Sequence, residues 1–183
     1  KHIELLLEGG DVEMDREMVE AVIDPLTHIV RNCIDHGIET PDQRRAVGKP
    51  ETGRLRVSAH QSGSQIVIEV ADDGRGINTE AVVAKVVAVG LMSAQDAALL
   101  SEQAKLELIF TPGLSTAQEV TAISGRGVGM DIVRANIERI GGVISLTSEP
   151  GRGLTITMRV PLTLTIIPGL ILSAGGIHFA IPR

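Results

Sequence analysis

The segment 24–37 predicts a helix with an unusually reactive face, because two imidazoles, an amide, a carboxylate and a guanidinium share one side of it. On a wheel that advances by about 100° per residue from His28 at 0°, the other polar side chains fall within about 80° of it. These side chains are Arg31, Asn32, Asp35 and His36. The apolar residues fall on the opposite side, where we expect a buried face: Leu26, Ile29, Val30, Cys33 and Ile34.

This polar face has two interpretations. Its groups can ligate a divalent cation and contact phosphates. A solvated helix face with two incidental histidines explains the segment about as well. Asp24 is a suitable N-cap and Pro25 suits the first helical position, so the helix is predicted to begin there, separate from a preceding helix over 15–22.

Three glycine motifs follow, each at a predicted element boundary: Asp72–Ile77 closes a strand, Gly125–Asp131 opens a helix, and Gly151–Gly153 joins two strands. Glycine lets backbone approach a ligand closely, and a glycine-preceded helix N-terminus can bind anions. An Asp at a strand end can accept a hydrogen bond from an exocyclic amine such as that of adenine. Each motif taken alone has a simpler explanation: a solvated turn for the first, a flexible loop for the second and a hairpin turn for the third. All three in this order after a polar helix that carries an Asn are hard to obtain by chance.

Other nucleotide-binding motifs are excluded by single residues. Met130 stands where a dinucleotide fingerprint requires glycine. Lys49 is followed by Pro50 rather than Ser or Thr, which excludes a Walker A loop. Protein-kinase signatures are missing as well.

The composition narrows the class of protein further. A formal net charge of −6 argues against a nucleic-acid-binding surface. Phe110 and Phe179 are the whole aromatic content, so an aromatic platform for stacking bases is not expected. The single Cys33 excludes an intrachain disulfide and a multi-cysteine metal site, which fits a reducing cytoplasm. The apolar stretch 162–172 is too short and too often interrupted to cross a bilayer.

The pattern of hydrophobic residues predicts alternating helices and strands. Strands are predicted over 3–7, 54–60, 65–71, 143–148 and 155–160, and Gly63 marks a hairpin. Helices are predicted over 15–22, 25–36, 41–47, 79–89, 93–107 and 130–140. This order predicts a two-layer α/β sandwich with a mixed sheet that is covered on one face. Residues 164–172 and 177–181 predict a β-hairpin with almost no polar face, which we interpret as the first piece of a second domain.

The ordered motifs resemble the Bergerat-type ATP-binding fold of histidine kinases, DNA gyrase and MutL, and most closely the catalytic domain of CheA-type chemotaxis histidine kinases. Residues 24–39 resemble the N box, 72–77 the G1 box, 110–116 the F box, 125–131 the G2 box and 151–155 the last glycine box. The resemblance covers 3–161, and the chain departs from the pattern at Leu114, usually Phe, and Leu154, usually Thr. It implies a catalytic domain over 1–161 with a mobile ATP lid, and a truncated coupling-protein-like regulatory domain over 162–183.

The resemblance also implies residue roles, with ATP and Mg²⁺ as the cofactors. His28 and Asn32 would be the catalytic residues and hold Mg²⁺ on the triphosphate, while Asp72 would bind the adenine amine. Phosphates would meet Arg31, His36 and Lys85 and be wrapped by the lid glycines. The full set of implied nucleotide contacts is Arg31, Asp35, His36, Asp72, Gly74, Gly76, Ile77, Lys85, Ser115, Gly125, Arg126, Gly127, Val128, Gly129, Met130 and Thr155.

His28 separates two functions. Gyrase-like ATPases carry a glutamate at this position as general base for water, whereas an imidazole lacks the fixed charge of a carboxylate. Phosphoryl transfer needs mostly positioning and charge neutralisation, so His28 favours transfer to a histidine over hydrolysis. An ATP-dependent conformational switch or ATPase module without phosphotransfer is the alternative.

The resemblance implies partners too. The phosphoryl acceptor would be a histidine on a separate phosphotransfer domain of the same kinase, reached in trans. A coupling protein and a chemoreceptor array would bind through the regulatory domain, with response regulators downstream. We expect no nucleic-acid partner, no insertion into the membrane, a cytoplasmic location beside receptors at the inner membrane face, and a dimer only in the full-length protein.

Overall fold

Five strands form one mixed sheet in the order β1-β2-β3-β5-β4. The computed structural model describes residues 1–114, 129–162, 169–174 and 177–182. The strands are β1 (Ile3–Glu8), β2 (Gly53–Ser62), β3 (Gln65–Asp72), β4 (Val143–Glu149) and β5 (Gly153–Pro161). Strands β1 and β2 pair in parallel, and all other neighbours in this sheet pair antiparallel, which confirms the mixed sheet.

Alternation along the strands directs one face of the sheet to the helices. Ile66, Ile68 and Val70 of β3 are buried on this face, and Asp72 follows at the same spacing of two. Strands β2 and β3 meet in a hairpin at Gly63, whose φ of 62° lies in the left-handed region that favours glycine. The hairpin predicted at Gly63 is confirmed, and Asp72 ends β3 as the sequence predicts.

The helices are short apart from the first. They are α1 (Arg16–Asn32), α2 (Pro41–Ala46), α3 (Thr79–Ala88), α4 (Ala94–Ala98), α5 (Glu102–Glu107) and α6 (Met130–Arg139). A π-helical turn (Cys33–Gly37) continues α1, and a 3₁₀ turn (Leu108–Phe110) follows α5. None of the helices in the described part of the chain is long and apolar enough to cross a membrane.

Helix α1 runs without interruption through Pro25, so the predicted helix break at Asp24-Pro25 is wrong. Proline removes one backbone hydrogen bond, which is why the sequence indicated a boundary. The buried side chains of α1 recur at helical spacing on both sides of it, and Pro25 itself is buried among them. Burial of this continuous stripe therefore overrides the local cost of the proline. The buried positions are Met18, Val22, Pro25 and Ile29.

Helices α1 and α6 cover one face of the sheet and close the core. Their buried residues pack in one cluster with those of the strands. The predicted apolar face of the 24–37 segment is confirmed, since Ile29 and Cys33 are fully buried and the other three residues are packed against the core. The central residues of the cluster are Met18, Ile29, Ile66, Val70, Ile137, Leu146, Ile156 and Met158.

Two predicted elements have different bounds. The helix expected over 93–107 is divided into α4 and α5, and each helix has its own serine cap, Ser93 and Ser101. The expected C-terminal hairpin is present as a separate two-stranded sheet of β6 (Gly169–Ala174) and β7 (Ile177–Pro182). The start predicted for its first strand, at 164, lies outside the described residues, and the second domain stays a prediction.

Arg44 of α2 is fully buried, and it joins α2 to the turn after β3. Its guanidinium donates to the Asp73 carboxylate at 3.0 and 2.8 Å, to Glu39 Oε2 at 3.2 Å and, through Nε, to the carbonyl of Pro50 at 2.6 Å. Two parallel bonds to one carboxylate fix direction as well as distance. Arg44 is therefore a buried cation that fixes the position of the turn at Asp73.

The replacement Arg44→Met should lower the free energy of unfolding by about 3–5 kcal/mol, because it leaves two carboxylates without their buried cation. Urea unfolding followed by circular dichroism measures the loss. Lys49 still pairs with Glu39, so we expect the lower part of that range.

Arg45→Met is the matched control, since Arg45 is the next residue of the same helix. Its ion pairs with Asp42 and Glu51 are exposed, and their loss should cost less than about 1 kcal/mol. Equal losses in the two variants would contradict the role assigned to Arg44.

Candidate nucleotide site

The Asp72 carboxylate is buried, with 7% of the residue exposed, and its two oxygens differ. Oδ1 accepts a hydrogen bond from the backbone N–H of Gly74 at 2.8 Å. Oδ2 is the one buried side-chain oxygen or nitrogen in the described part of the chain that lacks a hydrogen-bond partner. Burial raises the pKa of Asp72, and the Gly74 N–H offsets this only in part. Because an unpaired buried acceptor is costly, this oxygen is suited to a donor that a ligand supplies.

Two glycines shape the space around this carboxylate. A Cβ on Gly37 would lie 3.0 Å from Asp72 Oδ2, and a Cβ on Gly74 would lie 2.3 Å from the carbonyl oxygen of Gly37. The N–H of Arg75 donates to that same carbonyl at 3.0 Å. The end of the π turn and the turn after β3 are thus in direct backbone contact beside Asp72.

Cys33 also borders the site. It is 1% exposed, which confirms the predicted burial, and its thiol lowers the pKa of Asp72, an effect smaller than the opposite one of burial. Burial first and the neighbouring carboxylate second raise the pKa of the Cys33 thiol, so it stays protonated at neutral pH. Cys33 therefore lines the site as an uncharged residue and does not act as a nucleophile.

The other end of the 72–77 motif is fixed to the β4–β5 turn. Ser148 Oγ accepts from the N–H of Ile77 at 2.8 Å and donates to the carbonyl of Gly153 at 3.2 Å. Gly76 has a φ of 69°, and a Cβ there would lie 2.7 Å from the carbonyl oxygen of Glu149. Gly76, like Gly74, is thus required by contacts within the protein itself, whereas the sequence suggested only that these glycines admit a ligand.

Asn32 connects the polar helix face to the last glycine-opened helix. Its Nδ2 donates to Met130 Sδ at 3.4 Å, across 98 positions of sequence. Gly129 is buried directly before α6. The first N–H groups of α6 have no partner within the helix, and such a terminus is suited to an anion. This terminus lies next to Asn32.

His28 lies one helical turn before Asn32 and is half-buried. Burial first, and the charge of Arg31 second, lower the pKa of His28. The imidazole is therefore neutral at pH 7, with a lone pair available for a metal ion.

The π turn changes the geometry of the residues that follow Asn32. The N–H of Ile38 donates to the carbonyl of Cys33 at 2.8 Å, five residues back. The wheel at about 100° per residue does not hold through this turn, so the angles expected for Asp35 and His36 are wrong. Both side chains are exposed, as is that of Arg31. π turns often occur at functional sites.

Two further predicted contacts, Thr155 and Lys85, stay predictions. Thr155 pairs with Ala71 across the sheet, so its side chain faces away from the helices, while Leu154 stands opposite Asp72 on the helix side. Lys85 lies in α3 and takes part in none of the hydrogen bonds or ion pairs of the described residues. Five predicted contacts fall outside the described residues: Ser115, Gly125, Arg126, Gly127 and Val128.

A Mg²⁺ ion would find few protein ligands here. No group of three His, Cys, Asp or Glu side chains in the described ranges could hold a metal ion by itself. His28 and Asn32 offer two ligand atoms on one helix face. The Asn32 amide oxygen is a ligand of the kind that Mg²⁺ prefers, whereas the His28 imidazole nitrogen is a softer ligand. A bound Mg²⁺ would therefore take most of its ligands from phosphates and water.

The predicted F box begins at a packed aromatic. Phe110 is buried, and the guanidinium of Arg134 on α6 lies 3.9 Å from its ring centroid while pairing with Glu107. Leu114, which replaces the usual Phe, is buried too. The start of this box is thereby fixed to α6, the helix that also contacts Asn32.

Sequence reasoning missed five residues of the site. They are Gly37, Arg44, Lys49, Ser148 and Leu154, which act on the Asp72 motif from other elements. Arg44 and Lys49 could have been noticed as two cations close together in the sequence. Nothing in their spacing indicates that Arg44 binds the Asp73 carboxylate, 29 residues away, or that Lys49 binds the Asp73 backbone carbonyl, 24 residues away.

Comparison with known proteins gives the family. The description "Histidine kinase-, DNA gyrase B-, and HSP90-like ATPase" matches residues 21–164. The chain is 46% identical over its whole length to sensor histidine kinase CheAY of Helicobacter pylori and to chemotaxis protein CheA of Klebsiella aerogenes, and 43% identical to chemotaxis protein CheA of Bacillus subtilis. It spans 23%, 28% and 27% of these relatives, about a quarter of their length.

Solved structures agree on the fold. The catalytic domain of histidine kinase ThkA is 19% identical with a TM-score of 0.51, over 88% of this chain and 79% of that one. The blue-light activated histidine kinase of Erythrobacter litoralis is 15% identical with a TM-score of 0.50, over 88% and 36%. The chain therefore belongs to the histidine kinase-, DNA gyrase B- and HSP90-like ATPase family, as an ATPase domain of the CheA type.

Proposed function

We propose that this domain binds ATP·Mg²⁺ and transfers the γ-phosphoryl group to a histidine on a separate phosphotransfer domain of the same kinase. The observation that carries the proposal is the buried Asp72 carboxylate, whose Oδ2 lacks a donor. An exocyclic amine of adenine is a donor of suitable chemistry for this oxygen. The names of the relatives, histidine kinase and chemotaxis protein CheA, support the class of reaction.

In this proposal the remaining groups take up the triphosphate. His28 and Asn32 hold Mg²⁺, and the N-terminus of α6 at Gly129 and Met130 faces the phosphates. Arg31 and His36 are exposed on the same segment and supply positive charge or donors. Mg²⁺ neutralises charge on the phosphates when bound, and these side chains orient it.

The role of His28 favours transfer over hydrolysis. An imidazole whose lone pair holds Mg²⁺ cannot also take a proton from water, and hydrolysis needs a base for that step. Transfer to an imidazole needs no such base, because a neutral imidazole is already nucleophilic. The ATPase switch remains the second candidate because the family includes ATPases that lack a phosphoryl acceptor.

We propose further assignments for the segment after β5 and for the partners of the kinase. Residues 162–183 begin a regulatory domain that binds a coupling protein, which links the kinase to a chemoreceptor array at the inner face of the membrane, with response regulators downstream. The separate β6–β7 hairpin supports a second domain, and the name chemotaxis protein CheA supports a role in chemotaxis.

Asp72→Asn should weaken binding of ADP·Mg²⁺ by about 10- to 100-fold, the worth of a hydrogen bond to a charged acceptor. Isothermal titration calorimetry suits a chain without Trp or Tyr. Asp42→Asn, on the exposed face of α2, is the control and should bind as the unmodified chain does. Unchanged affinity in Asp72→Asn would exclude the adenine site.

The same carboxylate predicts a pH dependence. The pKa of Asp72 is raised in the free protein, and a donor on Oδ2 lowers it in the complex, so binding releases a proton. ADP affinity should therefore fall as pH decreases through this raised pKa. The Asp72→Asn variant retains only the titration of the phosphates, and an identical pH profile in both proteins would contradict the assignment.

Asn32→Ala should abolish label transfer from γ-labelled ATP to an added histidine phosphotransfer domain, because the Mg²⁺ position is lost. Asn136→Ala on α6 is the matched control, since the Asn136 side chain takes part in none of the described hydrogen bonds. Label on the added domain that is lost only in Asn32→Ala supports the kinase. Free phosphate without labelled protein would make the domain an ATPase switch.

A further inference from the structure

Lys49 places its ammonium group against the motif that carries Asp72. Its Nζ donates to Glu39 Oε1 at 2.9 Å, to the carbonyl of Asp73 at 2.9 Å and to the carbonyl of Gly74 at 2.7 Å. An ammonium has three donors, and these bonds use all of them. Lys49 therefore has no proton left for a nucleotide, and any effect on binding must be indirect.

The indirect path runs through one peptide unit. The carbonyl of Asp73 and the N–H of Gly74 belong to the same planar group and point to opposite sides of the chain. Lys49 binds the carbonyl end at 2.9 Å, and Asp72 Oδ1 accepts from the N–H end at 2.8 Å. The orientation of this plane thus joins the ammonium to the carboxylate.

Rotation of this peptide would move the N–H that holds Asp72 Oδ1. Free rotation would let the carboxylate turn, and Oδ2 would no longer be held toward the space beside Gly37. Arg44 Nη1 supplies a second, longer bond to the Asp73 carbonyl at 3.3 Å, so loss of Lys49 loosens the plane without releasing it.

We propose that Lys49 is a positioning residue for purine recognition, which holds the Asp73–Gly74 peptide so that the Asp72 carboxylate faces the exocyclic amine of the base. This inference rests on the proposed adenine site. Lys49 then contributes to selectivity for a base that carries this amine, and does not contribute to affinity for the phosphates. Glu39 belongs to the same arrangement as the carboxylate that fixes the ammonium.

A structural role alone predicts a different result. Lys49 and Glu39 form an ion pair with side chains 18% and 10% exposed, and loss of that pair lowers stability. Lower stability reduces the fraction of folded protein, so the apparent affinity for every nucleotide falls by the same factor. The ratio of two affinities is unaffected by this, so it isolates positioning.

The test compares ADP with purine riboside 5′-diphosphate, which lacks only the exocyclic amine, by calorimetry with Mg²⁺ on the 183-residue chain. The unmodified chain should prefer ADP on the order of tenfold or more. Lys49→Met should reduce this preference by about threefold or more, the coupling expected within one hydrogen-bonded network. Lys49→Arg, which keeps a charged donor, should recover most of it.

Lys105→Met is the control. The Lys105 side chain is 22% exposed, close to that of Lys49, but its ion pair with Glu102 lies in α5. The Lys105→Met variant should prefer ADP to the same degree as the unmodified chain does. If Lys49→Met does not fold, Lys49→Gln takes its place, since glutamine keeps a donor one bond too short to reach both carbonyls, and the same reduction is expected.

The outcomes separate the two proposals. If the unmodified chain does not prefer ADP, the adenine site itself is wrong. If the unmodified chain does prefer ADP, and Lys49→Met lowers the affinity for both nucleotides equally, the positioning role is overturned while the adenine site stands. A reduced preference in Lys49→Met that Lys49→Arg restores supports the positioning role.

Discussion

The structure depends on one buried carboxylate that the protein leaves half satisfied. Asp72 has a backbone donor on Oδ1 and none on Oδ2, although the buried cation Arg44 and the part-buried cation Lys49 lie nearby. Arg44 and Lys49 bind the next carboxylate, Asp73, and its backbone. A cation placed directly on Asp72 would have satisfied it and removed its need for a ligand. The cations therefore stabilise the shape of the turn and leave the charge of Asp72 available.

Three distant segments converge to maintain this arrangement. The π turn contributes the Gly37 carbonyl, the β4–β5 turn contributes Ser148, and the loop after α2 contributes Lys49. Each contact reaches the backbone of the 72–77 motif. A rigid motif loses little conformational entropy when a ligand binds. This explains why so many hydrogen bonds fix the six residues 72–77.

Much of this fold could be predicted from the sequence, and the reasons for the rest are physical. The alternation in β3 and the glycine at 63 are local signals, and they gave the hairpin and the strand end at Asp72. The passage of α1 through Pro25 depends on burial against the sheet, which a local rule does not contain. The reasons for Gly74 and Gly76 lie in backbone contacts to Gly37 and Glu149, and such long-range contacts leave no spacing pattern in a single sequence.

The π turn has a consequence for which changes in length the chain can accept. A π turn holds one more residue than an α-helix needs between the same two points. Deletion of any residue within 33–37 would let α1 continue as a regular helix and carry Gly37 about 100° around the axis, away from Asp72. A bulkier residue would then face the carboxylate. Among relatives, insertions and deletions should be scarce here and more readily tolerated at the exposed β2–β3 hairpin tip near Gly63, where a Cβ would meet open space.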